Sequence, residues 1–88
     1  MVAAHLAEEF QHAAEESRNL SVRPSNESLL QLYSFYKQAT IGDIDTDPPA
    51  NPFDFVAKAK YDAWASLKGR SKEAMMQEYI NLVNKLKS

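Results

Sequence analysis

Apolar side chains recur along the chain at intervals of three and four, in four separate runs. In the first, Leu6, Phe10, Ala13, Ala14 and Ser17 share one face of a helix over about Ala3–Ser17. Asn19 and Ser21 loosen the pattern, and Pro24, which lacks an N–H, excludes a continuous helix through this region. A second helix starts behind it, with the side chain of Ser25 or Asn26 accepting from an otherwise unpaired backbone N–H. Leu29, Leu32, Tyr33, Tyr36 and Ala39 form its stripe, and it stops near Thr40–Gly42, where β-branched residues and then Gly lower helix propensity. Residues 42–52 combine turn formers with three prolines and read as a loop long enough to cross the structure. The third helix covers about Phe55–Lys68, with Gly69 as its C-cap. Ser71 caps a fourth, with Glu73 near its positive end and Met75, Tyr79, Leu82, Val83 and Leu86 as its buried stripe. The pattern predicts an all-α, four-helix bundle with short connections at either end and one overhand crossing in the middle.

Composition narrows what such a bundle does. A chain of 88 residues has room for one domain, 1–88, and no more. With 44% apolar and 25% charged residues it has the balance of a globular protein, not of a disordered one. The absence of cysteine excludes a disulfide framework, a zinc knuckle and a thiol nucleophile. A formal net charge of −2 argues against a nucleic-acid binder. The N-terminus has neither a basic start nor a long apolar run, and no stretch approaches the ~20 apolar residues of a membrane span. The expectation is a cytoplasmic monomer.

Catalysis and metal binding have little to stand on. Asp43, Asp45, Asp47 and Asp54 fall at calcium-loop spacing, but the sixth position needs Gly and holds Pro48. His5 and His12 lie about 10 Å apart along one helix, too far for one metal. No serine has His and Asp placed for nucleophilic activation, which argues against a thioesterase. The expectation is no catalytic residue, no metal and no cofactor.

The informative feature is where charge meets apolar faces. On a helical wheel of the second helix with Tyr33 at zero, Leu29 falls at about −40°, Tyr36 at about −60°, Lys37 at about +40° and Leu30 at about +60°. Lys37 therefore sits within an apolar arc that also holds two tyrosines. On the third helix, with Ala59 at zero, Val56 and Leu67 fall at about 60–80°, Lys60 at about 100° and Trp64 at about 140°. A lysine at the edge of such a face commonly lays its stem on the core and keeps its ammonium in water. Two of them beside aromatic rings also suit an anionic ligand with a flat base, such as a nucleotide. Tyr79 belongs either to that pocket or to the core, with a partner for its hydroxyl.

The block Tyr33-Ser-Phe-Tyr36-Lys37-Gln38-Ala39-Thr40-Ile41-Gly42-Asp43 resembles the signature of the acyl-CoA-binding protein family. So do Lys58-Ala59-Lys60-Tyr61-Asp62-Ala63-Trp64, Leu67-Lys68-Gly69, Ser71-Lys72-Glu73 and Phe10-x-x-Ala13-Ala14-Glu15-Glu16. The resemblance covers nearly the whole chain in order. It implies an up-down-down-up bundle that binds, buffers and transports medium- to long-chain fatty acyl-CoA thioesters without catalysis. It implies that Tyr33, Lys37 and Lys60 grip the ribose 3′-phosphate and that Tyr36 and Tyr79 surround the adenine and the rest of the head. Arg18 would lie near the phosphates, and Ala14, Leu29 and Leu30 near the acyl chain. It leaves room for transient contact with acyl-CoA-using enzymes or membrane surfaces. Val56 stands where many members carry a basic residue, the loop around residues 49–53 carries one extra residue, and Tyr61 stands where tryptophan is common. The competing reading is a helical protein–protein interaction module with no small-molecule ligand, which would need neither lysine.

Overall fold

Each of the last three helices begins where a side chain takes up a free N–H of the first turn. The computed structural model describes residues 2–87 and contains α1 (Val2–Ser17), α2 (Asn26–Thr40), α3 (Phe55–Ala65) and α4 (Lys72–Lys87). Ser25 Oγ accepts from Ser28 N at 3.1 Å, Asp54 Oδ1 from Ala57 N at 3.0 Å and Ser71 Oγ from Ala74 N at 3.1 Å. Asp54, which falls at calcium-loop spacing in the sequence, is thus the N-cap of α3.

The third helix stops short of its expected end at Lys68. Beyond Ala65 the chain tightens into three-residue steps, with Leu67 N bonded to Trp64 O at 2.9 Å and Arg70 N to Leu67 O at 2.9 Å. A tertiary contact draws the chain off the helix axis: Asp43 Oδ1 accepts from Gly69 N at 2.8 Å. Gly69 sits at φ 89°, a left-handed conformation that glycine adopts without a Cβ clash.

Contacts at the helix ends give the directions. Glu16 and Lys87, both in last turns, meet across α1 and α4, so these two helices run parallel. Gln38 near the end of α2 reaches Arg70 just before α4, which sets α2 antiparallel to α4. Lys60 meets Tyr33 and Trp64 meets Gln38, so α2 and α3 run in the same direction. The order is up-down-down-up, and residues 41–54 return along the bundle to start α3 beside the start of α2.

The layout is asymmetric. Among the described residues, α4 packs against both α1 and α2, whereas α3 packs against α2 alone. Leu6, Phe10 and Ala13 of α1, Leu32 and Ala39 of α2, and Met75, Tyr79, Ile80 and Val83 of α4 form the core. Trp64 is the buried residue of α3, anchoring the far end of a helix whose first turn stays open. The molecule is accordingly flat, 42 × 30 × 15 Å. No described helix is long and apolar enough to cross a membrane.

Candidate functional site

Two ammonium groups stand near the Tyr33 ring. Lys60 Nζ stands 5.3 Å from its ring centroid and Lys37 Nζ 5.8 Å. Lys37 Nζ also stands 5.7 Å from the Trp64 ring. All three separations lie within the reach of cation–π attraction, about 6 Å. Among the described residues, neither lysine has a carboxylate partner, although Lys58 pairs with Asp62 and Lys87 with Glu16. The wheel groups Lys37 with two tyrosines; in the structure its aromatic neighbours are Tyr33 and Trp64, because α3 brings its tryptophan across to α2.

Trp64 is itself held from below. Its Nε1 donates to Gln38 Oε1 at 3.1 Å and to Gly42 O at 2.9 Å. Gln38 Nε2 donates to Asp43 Oδ1 and to Arg70 O, both at 2.9 Å. The Gly69 N–H, and after it the Gln38 amide, hold the Asp43 carboxyl below the usual carboxylate range.

On one side of Tyr33 lies a cavity of about 230 Å³ that also touches Ala14, Ser17, Arg18, Tyr36 and Tyr79. Tyr36 is 40% exposed and stacks on Phe10 with centroids 5.4 Å apart. Tyr79 is only 4% exposed and meets Phe10 edge-on at 5.2 Å. Its hydroxyl lies 2.9 Å from Ser17 Oγ, and Ser17 donates its own hydrogen to Ala14 O at 2.7 Å. A hydroxyl has one hydrogen, so Tyr79 is the donor of that pair and presents no free O–H to the cavity. Tyr79 is therefore a core tyrosine with an edge at the site, which joins the two alternatives the sequence leaves open.

A separate groove of about 480 Å³ runs between α2 and α3. Leu29 and Leu30 form one wall, Phe55, Val56 and Ala59 the other, and Arg23, Asn26 and Lys60 add polar groups. The groove has the volume of a small-molecule site, about 300–1,000 Å³, and the cavity beside Tyr33 falls below that range. Lys60 belongs to both the groove and the Tyr33 cluster, so an elongated ligand can engage the two together. Ala14, grouped with the two leucines by the resemblance, lies in the Tyr33 cavity and not in the groove. Neither cavity is lined by a histidine among the described residues.

With this geometry in place, comparison with known proteins is decisive. Residues 7–83 match the family model described as Acyl CoA binding protein. The chain belongs to the acyl-CoA-binding protein family. It is 47% identical over 81 residues to an acyl-CoA-binding protein homolog of Drosophila melanogaster, covering 92% of this chain and 93% of that one. It is 46% identical to the acyl-CoA-binding domain-containing protein 6 of Arabidopsis thaliana, covering 92% and 87%. Among solved structures, acyl-CoA-binding protein 2 of Oryza sativa superposes with a TM-score of 0.89 at 42% identity, covering 96% of this chain and 90% of that chain. The yeast protein's solution structure superposes at 0.70 with 43% identity, covering 88% of both. These relatives are named as binding proteins, not as enzymes.

Sequence reasoning overlooks several members of this site. Arg23, Asn26 and Phe55 enter the groove from a link, a first turn and a helix start, where no periodic signal marks them. Gln38 falls about 140° from Tyr33 on the wheel, off the apolar stripe, and so gives no local sign of its complete burial.

Proposed function

We propose that this chain binds medium- to long-chain fatty acyl-CoA thioesters without transforming them, holding them in reserve and carrying them between sites of use. The observation that carries the reading is the convergence of Lys37 and Lys60, without carboxylate partners among the described residues, on Tyr33 near an open apolar groove. Both ammonium groups stand within about 6 Å of the same ring, so one phosphate near that ring can draw on both charges. In this reading Tyr33, Lys37 and Lys60 take the 3′-phosphate. Tyr36 offers its exposed ring to the adenine, Tyr79 offers an edge and Arg18 stands near the remaining phosphates. Leu29 and Leu30, with Phe55 and Val56 opposite, take the acyl chain at ~0.8 kcal/mol per CH₂ removed from water. Ala14 lines the head cavity, where its small side chain leaves room beside Tyr36.

The same reading makes the chain a single acyl-CoA-binding domain, monomeric and cytoplasmic, that meets acyl-CoA-using enzymes or membrane surfaces only transiently. An interaction module is disfavoured because it needs neither lysine beside the Tyr33 ring. Calorimetric titration with CoA esters of increasing chain length tests the proposal. Affinity is expected to rise with length until the groove is full and then level off. Equal affinity for acetyl-CoA and a sixteen-carbon ester would remove the tail groove from the account.

A further inference from the structure

Gln38 is wholly buried, at 0% exposure. Its amide has one workable orientation. Nε2 faces two acceptors, Asp43 Oδ1 and Arg70 O, and Oε1 faces the donor-only indole of Trp64. A flipped amide would set oxygen against oxygen twice. Asp43 Oδ1 accepts at the same time from Gly69 N, which leaves this small network without an unpaired buried atom among the described residues. The network ties the end of α2, the start of the overhand loop, the end of α3 and the link into α4 to one another.

Its last member is the Trp64 ring. The indole N–H is shared between Gln38 Oε1 and Gly42 O, which fixes the plane of the ring. The ring in turn lies 5.7 Å from the Lys37 ammonium. A lysine stem has four rotatable carbon–carbon bonds and is floppy unless something holds its head. A cation–π contact depends on the ring's face, so turning the indole releases the ammonium.

We propose that Gln38 and Asp43 are positioning residues for ligand recognition: they lock the Trp64 ring, and the ring holds the Lys37 ammonium beside Tyr33 before the ligand arrives. The proposal rests on the reading of Lys37 as a phosphate contact only where ligand affinity is measured; the state of Lys37 in the unliganded protein is a separate question. Gln38→Met keeps the length of the side chain and removes both the N–H donors and the Oε1 acceptor that faces Trp64. Asp43→Ala removes the acceptor that orients the amide, and Asp43→Asn keeps a carbonyl oxygen for it.

The chain contains one tryptophan, so indole fluorescence reports Trp64 alone. In the unliganded protein, Lys37→Met is expected to shift the emission in the wild-type background and to leave it nearly unchanged in the Gln38→Met background. For binding, Gln38→Met and Asp43→Ala are each expected to weaken a long-chain acyl-CoA about five- to tenfold and its 3′-dephospho analogue less than about twofold. Asp43→Asn is expected to restore most of the loss. A Lys37→Met emission shift of equal size in both backgrounds would overturn the proposal, and so would equal losses for the two ligands. If the wild type bound no acyl-CoA at all, the functional reading would fall while the emission comparison still decided the positioning role.

Discussion

The two sides of α2 use apolar residues in opposite ways. On the side facing α1 and α4, Phe10 is 5% exposed and Val83 0%, packed into a closed core. On the side facing α3, Phe55 is 73% exposed and Val56 66%, in the first turn of a helix that, among the described residues, packs against α2 alone. Removal of apolar surface from water stabilises by about 25 cal/mol per Å². The first side has collected that stabilisation on folding. The second has left it unused, and an acyl chain laid along the groove would realise it. The bundle is thus a core of α1, α2 and α4 with α3 held open as a wall.

Phe10 and Phe55 offer the sharpest way to break that contrast. Phe10→Ala should destabilise the fold by about 3–5 kcal/mol, read by denaturant unfolding, because it leaves a cavity between Tyr36 and Tyr79. Phe55→Ala should change stability by less than about 0.5 kcal/mol, as exposed substitutions do, and should instead lower affinity for a sixteen-carbon ester. Similar unfolding costs for the two would erase the distinction between core and groove. Gly69→Ala comes next: nothing stands within 4 Å of the added Cβ, so the expected cost of about 1 kcal/mol is backbone strain at φ 89° and not a clash.

Acid should act through the tie between the overhand loop and the end of α3. The Asp43 carboxyl is held below the usual range by the Gly69 N–H and then the Gln38 amide, so its folded-state pKa lies below its unfolded one. Its contribution is therefore complete above the unfolded value, about 3.9, and disappears as the pH falls through the folded value. Unfolding midpoints measured from pH 6 downward should drop less steeply in Asp43→Asn than in the wild type, and parallel curves would detach Asp43 from the acid response. Lys58→Ala should have the smallest effect. Its pairing with Asp62 at 3.2 Å is exposed and worth less than about 0.5 kcal/mol, and binding should stay within about twofold of wild type.

The parts legible in the sequence were those set by local physics. Ser25 and Ser71 are caps because their oxygens reach N–H groups three residues on, and the stripe through Met75, Tyr79 and Val83 follows from helical period alone. Tyr33, Lys37 and Lys60 could be nominated because each is a charge or a ring out of place on its own wheel. What brings them together was not legible in the same way. The wheel of α3 seats Lys60 between its own Leu67 and Trp64, yet the ring it finds is Tyr33 of α2. The early end of α3 depends on a carboxylate 26 residues away in sequence. The groove lies between helices whose relative direction is decided by a loop, so the partners of Leu29 and Leu30 could be named only after α3 was placed.

The central claim is that the two lysines near the Tyr33 ring read the 3′-phosphate while the groove reads the tail. Its most direct test is a cycle between protein and ligand, measured by calorimetry with a long-chain acyl-CoA and its 3′-dephospho analogue. Charge-assisted hydrogen bonds to a partly shielded phosphate are worth roughly 1.5–3 kcal/mol each. Lys37→Ala and Lys60→Ala should therefore each weaken the full ligand about tenfold or more, and the dephospho ligand far less, since the group they hold is already missing. Equal losses for both ligands would contradict the account, because the lysines would then be acting on some other part of the molecule or on the fold.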